Sequence, residues 1–357
     1  MSYADSKNIG KISFIKENFI ITKNLKTAEL YEIVQIGHKK IIGEIIEIAP
    51  DETHIQTYEN TTELSINDPI YSTNHYFLSK LGPGAFNYTE KNQNLMGKWN
   101  FLPMMFKGGE VNHGDILGEV KETASVSHKI ITPYKLNGKI ISIRSGNFTI
   151  QEPIIQIQDK NKLIDIFMRQ TWPMRMPRPY QEKISSEPEL ISKQKILDSI
   201  FCSKFNQQED KIEKSIMQKQ LAKWTGADII IAVMRKKNLP AFLNKFTEFK
   251  DLKSEQSLLE KTFFFINGSG LPSSRDIFMD KTIVAAEYFR DMGYNVLLII
   301  DELSGWRKDL EELAHSCDNK SSYYSLRLKN FFARAGRVKC AGKPYREGSV
   351  AIIGGEE

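Results

Sequence analysis

The stretch Val296-Leu297-Leu298-Ile299-Ile300-Asp301 decides the fold class of the second half of the chain. A short apolar run without alternation is typical of a strand that is buried on both faces of a parallel sheet. Similar runs occupy residues 228–233, 262–267 and 349–353, and helical patterns at residues 211–224, 281–292 and 322–335 separate them. Strands that alternate with helices predict an α/β layer architecture with a mostly parallel sheet.

The first half of the chain has a different pattern, with short runs of β-branched and aromatic residues between turn signals. The predicted strands lie at residues 12–15, 19–22, 31–36, 41–48 and 54–57. Strands this short and this closely spaced predict a small closed barrel or a sandwich. A second β-rich region covers residues 99–158. The proline-rich run Trp172–Pro179 follows, and it excludes a helix or a central strand because proline lacks the N–H group.

Composition limits the classes of function. Hydrophobic residues make up 41% of the 357 residues and charged residues 26%, which are ordinary values for a globular protein. The net charge of +5 is spread along the chain without a basic block interleaved with aromatics, so we expect no nucleic-acid partner. No apolar run approaches the roughly 18 residues of a membrane span, and no secretory signal is visible. These features predict a soluble intracellular protein with reduced, scattered cysteines.

Several segments, in order along nearly the whole chain, resemble the A subunit of V-type and archaeal-type (V/A-type) rotary ATPases. They are Ile42-Gly43-Glu44-Ile45-Ile46, Gln56 to Thr62, Leu81-Gly82-Pro83-Gly84, Gly114 to Gly118, His128-Lys129-Ile130, Trp172 to Lys183, Gln220 to Trp224, Ala286 to Tyr294 and Arg334 to Val338. The resemblance implies three domains. These are an N-terminal β-barrel at residues 1–80, a shortened β-rich bulge-like domain at 81–165, and a truncated RecA-like nucleotide-binding domain of the P-loop NTPase type at 166–357.

The segment that corresponds to the family's phosphate-binding loop has lost its glycines. Alignment on Gln220 to Trp224 puts Lys214 at the loop lysine and Ser215 at the hydroxyl that binds magnesium. The preceding residues include Glu209, Asp210 and Glu213. A phosphate loop needs glycines because its backbone adopts φ > 0 and approaches the phosphates closely. The alternative is a longer solvated helix, since residues 206–224 contain neither Gly nor Pro.

The family's catalytic glutamate corresponds to Lys237 in this chain. That glutamate follows the strand at residues 228–233 and polarises the attacking water. A protonated lysine cannot accept a proton from water, although it can pair with a phosphate. The residues therefore predict that this chain alone does not hydrolyse ATP, and no catalytic residue is assigned.

Asp301 ends its strand in the manner of a Walker B aspartate, whose carboxylate holds magnesium through water. The alternative is a helix cap, because many parallel strands end in aspartate. Lys214, Ser215 and Asp301 are thus the candidate remnants of a nucleotide site, with Ser215 and Asp301 as magnesium ligands if Mg-ATP or Mg-ADP binds.

The resemblance implies a hetero-oligomer with a B-type subunit and stalk subunits, peripheral on the cytoplasmic face of a membrane. Such a complex couples ATP hydrolysis or synthesis to transport of H⁺ or Na⁺, a choice made by other subunits. Three interpretations remain open: an impaired A-type subunit, the N-terminal piece of a split subunit that needs a second polypeptide, and a non-catalytic binding module that reuses the fold.

Overall fold

The computed structural model describes residues 7–23, 25, 28–84, 97–123, 125–184, 226–240, 258–268, 272–301, 303–315 and 320–354. Within them a closed barrel, two four-stranded sheets, a two-stranded ribbon and a six-stranded sheet are formed. The predicted fold class, a barrel and a β-rich insert before an α/β domain, is confirmed.

Six strands close the barrel in the order β1-β2-β5-β4-β3-β6. Their bounds are Lys7–Lys16, Phe19–Lys23, Glu32–Ile36, Ile41–Ile48, Glu52–Thr57 and Pro69–Tyr76. Isoleucines such as Ile20, Ile45 and Ile55 are fully buried in the interior. The sequence pattern did not reveal β6, because its polar second half, Ser72 to His75, lacks the apolar residues of the other strands.

The β-rich insert is a sandwich of two sheets, with strand orders β11-β10-β8-β13 and β15-β14-β12-β9. Strands β8 to β15 span Trp99–Pro103, Glu110–Val111, Ile116–Lys121, Ser127–Ile131, Gly138–Ile143, Gly146–Phe148, Pro153–Asp159 and Lys162–Phe167. Phe101, Leu117, Ile140 and Ile157 are fully buried between the two sheets. Strand β7 (Leu78–Leu81) pairs antiparallel with β16 (Gln170–Pro173) to form the ribbon. The proline-rich run therefore begins in an edge ribbon and not in a central strand.

The α/β domain contains a six-stranded sheet of order β17-β21-β22-β20-β18-β19. Its strands span Glu182–Ile184 (β17), Ile229–Arg235 (β18), Thr262–Asn267 (β19), Asn295–Ile300 (β20), Gly336–Lys339 (β21) and Glu347–Gly354 (β22). Strands β18, β19, β20 and β22 are parallel, as predicted, and β17 and β21 pair antiparallel. The helices are α1 (Pro272–Asp291), α2 (Leu303–His315) and α3 (Lys320–Phe332).

Helix boundaries differ from the predicted ones. Helix α1 begins nine residues before the predicted start at residue 281, because its first turns bury the polar residues Ser273, Asp276 and Asp280. Helix α2 was not predicted, since Ser304 and Gly305 disfavour a helix by local propensity. The predicted helix at residues 211–224 lies outside the described residues. No helix in the described part of the chain is both long and apolar enough to cross a membrane.

Helix α1 is buried on nearly all sides and contacts the sandwich as well as the sheet. His128 of β11 lies with Nε2 2.9 Å from the Tyr288 hydroxyl and Nδ1 2.9 Å from a carboxylate oxygen of Glu122. All three side chains are fully buried. This chain of polar contacts fixes the sandwich against α1.

A second contact joins the sandwich to the loop between β21 and β22. The main-chain N–H of Lys343 donates to Asp115 Oδ1 over 2.6 Å, and Ile116 N–H donates to the Lys343 carbonyl over 2.9 Å. At Gly342 (φ +81°) a Cβ would lie 2.1 Å from the carbonyl carbon of Gly114. The two backbones therefore meet at a point where only glycine fits.

Candidate nucleotide site

The carboxyl ends of β18 and β20 form the position at which a sheet of this topology binds ligands. The chain passes from β18 to β19 on one side, then returns to β20 on the other side, so the strand order reverses between β18 and β20. Ligands bind in open α/β sheets at such a switch point, outside the carboxyl ends of the strands. Two of the predicted site positions, Lys237 and Asp301, lie at this edge.

Asp301 directly follows β20, and its carboxylate already has a protein partner. Its N–H donates to the Val233 carbonyl over 2.9 Å, which holds it beside the end of β18. The side-chain amide of Asn238 donates to Asp301 Oδ2 over 2.8 Å. Asn238 was not predicted to matter, and the sequence offers no signal for it beyond its place one residue after Lys237.

Lys237 lies in a 3₁₀ turn (Lys236–Asn238) that continues from β18, and its side chain is exposed. The structure thus places the lysine beside Asp301 in the fold, at the same edge of the sheet. Lys214 and Ser215 lie outside the described residues, so their predicted roles remain predictions. Asp301 is the one carboxylate among the described residues that directly follow β18 and β20.

A small cavity of about 50 Å³ lies beside this edge, between the strand ends and the helices α1 and α2. Its lining includes Arg235, Asn267 and the ion pair between Arg275 and Asp309. A volume of this size can hold a few water molecules.

The described residues that directly follow β18 and β20 provide one carboxylate, that of Asp301, and the exposed side chains of Lys236 and Lys237. The Asn238 amide contacts one carboxylate oxygen of Asp301, and a protonated lysine cannot polarise an attacking water molecule. Contact with a phosphate group is compatible with Lys237, because an exposed lysine is a suitable point charge for phosphate.

Among the described residues, the most extensive buried polar group lies elsewhere, where the barrel meets the α/β domain. We call it the carboxylate–arginine cluster: Glu44, Arg175, Asp276, Asp280 and Arg327. Arg175 Nη2 lies 2.8 Å from Glu44 Oε2, and its Nη1 lies 2.6 Å from Asp276 Oδ2 and 2.7 Å from Asp280 Oδ2. Arg327 of α3 contacts the same two aspartates, at 3.0 Å and 2.5 Å.

Electrostatics in the cluster favour the ionised carboxylates. Burial acts to raise the pKa of Asp276, but the charges of Arg327 and Arg175 outweigh it and lower that pKa to about 2. Burial raises the pKa of Tyr58, and so does the Glu44 carboxylate, to which the Tyr58 hydroxyl donates over 2.6 Å. Arg175 lies in the proline-rich run Trp172–Pro179, and the sequence did not reveal its partners, because they come from segments about 100 or more residues away.

Further ion pairs extend along α1 on the same side. Arg178 Nε donates to Asp291 over 2.6 Å, and Arg334 Nη2 donates to Glu287 over 2.6 Å. A cleft of about 420 Å³ opens beside these pairs, between the barrel residues Leu30 and Tyr31 and helix α3. Most guanidinium donors around the cleft bind protein carboxylates or carbonyls.

Comparison with known proteins agrees with this three-part architecture. Residues 20–74 match the beta-barrel domain of the ATP synthase alpha/beta family, residues 93–175 its barrel-sandwich domain, and residues 208–354 its nucleotide-binding domain. The assembled ATPase EscN of the type III secretion system of enteropathogenic E. coli has a similar fold, with a TM-score of 0.50 and 17% identity over 97% of this chain and 69% of that one.

The chain is also similar to V-type ATP synthase alpha chains. Those of Acetivibrio thermocellus and Clostridium novyi are each 33% identical to it over 97% of this chain. The chain spans 65% of the length of these curated relatives. It belongs to the ATP synthase alpha/beta family, as a divergent relative of the V/A-type A subunit.

Proposed function

We propose that this chain takes the position of an alpha (A) subunit in a V-type ion-translocating ATPase without carrying out hydrolysis itself. Its partners would be a B-type subunit and stalk subunits, in a complex peripheral on the cytoplasmic face of a membrane. The family membership supports the position in the complex. The exposed lysine at position 237, just after β18, supports the lack of hydrolysis.

The proposal rests on one residue type at the carboxyl end of β18. A lysine at position 237 cannot orient and deprotonate water as a carboxylate does. The Asn238 amide contacts one oxygen of Asp301, so that oxygen already has a protein partner. Residual contact with Mg-ATP or Mg-ADP would rest on Lys214, Ser215 and Asp301.

The decisive experiment measures ATP hydrolysis by a reconstituted complex in which this chain is the only alpha-type subunit. We expect no turnover above background, whereas a rate near 1 s⁻¹, the lower end for ordinary enzymes, would refute the proposal. Lys237→Glu combined with restored glycines in residues 208–213 tests whether the loss is local. Lys236→Glu with the same glycines is the matched control, because it changes the charge equally one residue away.

Nucleotide affinity gives a second test of the remnant site. We expect Lys214→Ala to change the dissociation constant of ATP by less than tenfold, measured by calorimetry on the purified chain. A loss of tenfold or more, about 1.4 kcal/mol, would show that the loop still binds phosphate.

The partners are tested by native purification of the chain from its source cells and mass spectrometry. Recovery of B-type and stalk subunits supports the proposed position. Recovery together with a second alpha-type polypeptide that supplies the remaining length would instead favour a split subunit. Recovery of the chain alone, or with unrelated proteins, would favour a free-standing module and overturn the proposed position.

A further inference from the structure

Two aspartates of α1 are shared by arginines from two different parts of the chain. Asp276 and Asp280 lie one helical turn apart on α1, so their carboxylates are neighbours. Arg175 approaches them from the segment that follows the ribbon, and Arg327 approaches them from α3. Arg175 also binds Glu44 on barrel strand β4 through Nε and Nη2. Arg175 and the two aspartates thus form a continuous chain of ion pairs between Glu44 of the barrel and Arg327 of α3.

The carboxylates of the cluster share a small number of guanidinium groups. Arg175 and Arg327 contact them directly, and Arg334 Nη1 lies 3.8 Å from Asp280 Oδ1 while its Nη2 binds Glu287. The Tyr58 hydroxyl and the Trp306 indole N–H supply neutral donors to Glu44 and Asp276. The carboxylates are almost wholly buried, so water screens them little. The charge of each arginine therefore also affects the carboxylates that bind the other arginine.

We propose that the carboxylate–arginine cluster couples the barrel to α3, so that the position of the Arg327 side chain determines how strongly Arg175 binds Glu44. When Arg327 withdraws, Asp276 keeps only Arg175 as a guanidinium partner among the ion pairs of the described residues, and Asp280 keeps Arg175 and the more distant Arg334. Repulsion among the carboxylates then weakens the contact to the barrel. Glu44 is released first, because Asp276 and Asp280 belong to the same rigid helix while Glu44 lies on a separate domain. The coupling does not rest on nucleotide binding or on the proposed function.

The cluster also connects to the candidate site through α2. Trp306 of α2 donates to Asp276 Oδ1 over 3.1 Å, and α2 begins two residues after Asp301. A shift of α2 at the carboxyl edge of the sheet would thus act on the same aspartate that Arg175 and Arg327 share. Physical contiguity of this kind makes coupling possible, and only a measurement of coupling establishes it.

Hydrogen exchange measured by mass spectrometry on the full chain tests the coupling. We expect Arg327→Met to accelerate amide exchange in the β4 peptide (Ile41–Ile48) at least fivefold. The matched control is Arg337→Met, which removes an arginine of the same domain whose side chain is 51% exposed and pairs only at the surface. We expect it to change β4 exchange by less than twofold.

A second variant distinguishes an electrostatic effect on β4 from a general loss of stability of the fold. Adding Asp280→Asn to Arg327→Met restores the original net charge of the buried group, and we expect β4 exchange to return to within twofold of the unmodified chain. An effect of Arg327→Met confined to α1 and α3, or a further acceleration in the double variant, would overturn the proposal. If Arg327→Met does not fold, the proposal requires that the double variant folds, and failure of both overturns it.

Discussion

Asp276→Asn should lower the free energy of unfolding, because it removes a buried charge that two arginines stabilise. Asp276 is 1% exposed and accepts hydrogen bonds from Arg175, Arg327 and Trp306. Its pKa is about 2 in the folded chain and 3.8 in the unfolded one. That difference corresponds to about 2 kcal/mol of folding free energy at neutral pH. Removing one partner from a buried ion pair costs about 3–5 kcal/mol in other proteins. We therefore expect Asp276→Asn to lower the free energy of unfolding by about 2–5 kcal/mol at neutral pH.

The pH dependence of this loss has a definite sign. Because the folded pKa lies below the unfolded one, the contribution of the charge is complete above about pH 4 and disappears as the pH falls through about 2. About half of it remains at pH 3. The difference in stability between the unmodified chain and Asp276→Asn should therefore shrink by about 1 kcal/mol between pH 6 and pH 3.

Urea unfolding at a series of pH values, followed by circular dichroism, measures both quantities. Glu63→Gln is a suitable control, because Glu63 pairs with Lys39 and the two side chains are 57% and 68% exposed. We expect less than about 0.5 kcal/mol of loss in the control. A loss below 1 kcal/mol for Asp276→Asn at pH 7, or a difference that stays constant down to pH 3, would refute the reasoning.

Three further predictions concern other contacts. Gly342→Ala should lower the free energy of unfolding by about 2–3 kcal/mol, since φ is +81° and the new Cβ would meet the facing backbone; an unchanged melting temperature would contradict this. Tyr288→Phe should cost about 1 kcal/mol through loss of the hydrogen bond to the buried His128, measurable by denaturant titration, and a gain in stability would show that the bond contributes nothing. Lys39→Ala should change stability by less than 0.5 kcal/mol, because its ion pair is 68% exposed on the lysine side; a loss above 1 kcal/mol would show an interaction that the exposed geometry does not provide.

Local patterns were sufficient to predict most of the fold. The apolar runs that became β18, β19, β20 and β22 are continuous in sequence, so each strand could be identified without knowledge of its neighbours. Helix α1 was predicted too short for the opposite reason. Asp276 and Asp280 interrupt the apolar pattern, and they are buried only because Arg175 and Arg327 arrive from other parts of the chain.

The candidate site was predictable only in part. Asp301 and Lys237 were located from their strands, and the structure places both at one sheet edge. The role of the Asn238 amide was not predictable, because it depends on the short distance between Asn238 and Asp301, which follow the adjacent strands β18 and β20. The carboxylate–arginine cluster was missed for a similar reason: charged residues in a sequence are expected at the surface, and their burial depends on partners that lie far away in the chain.

The shared aspartates of α1 also have a consequence for how this sequence can change over generations. A substitution at Arg175, Asp276 or Arg327 alone leaves a buried charge without its full set of partners. A neutral replacement at one position is tolerable only if an opposite charge is removed at the same time. Sequences descended from this chain should therefore show paired replacements among the barrel, α1 and α3, and their barrels and α/β domains should not be interchangeable.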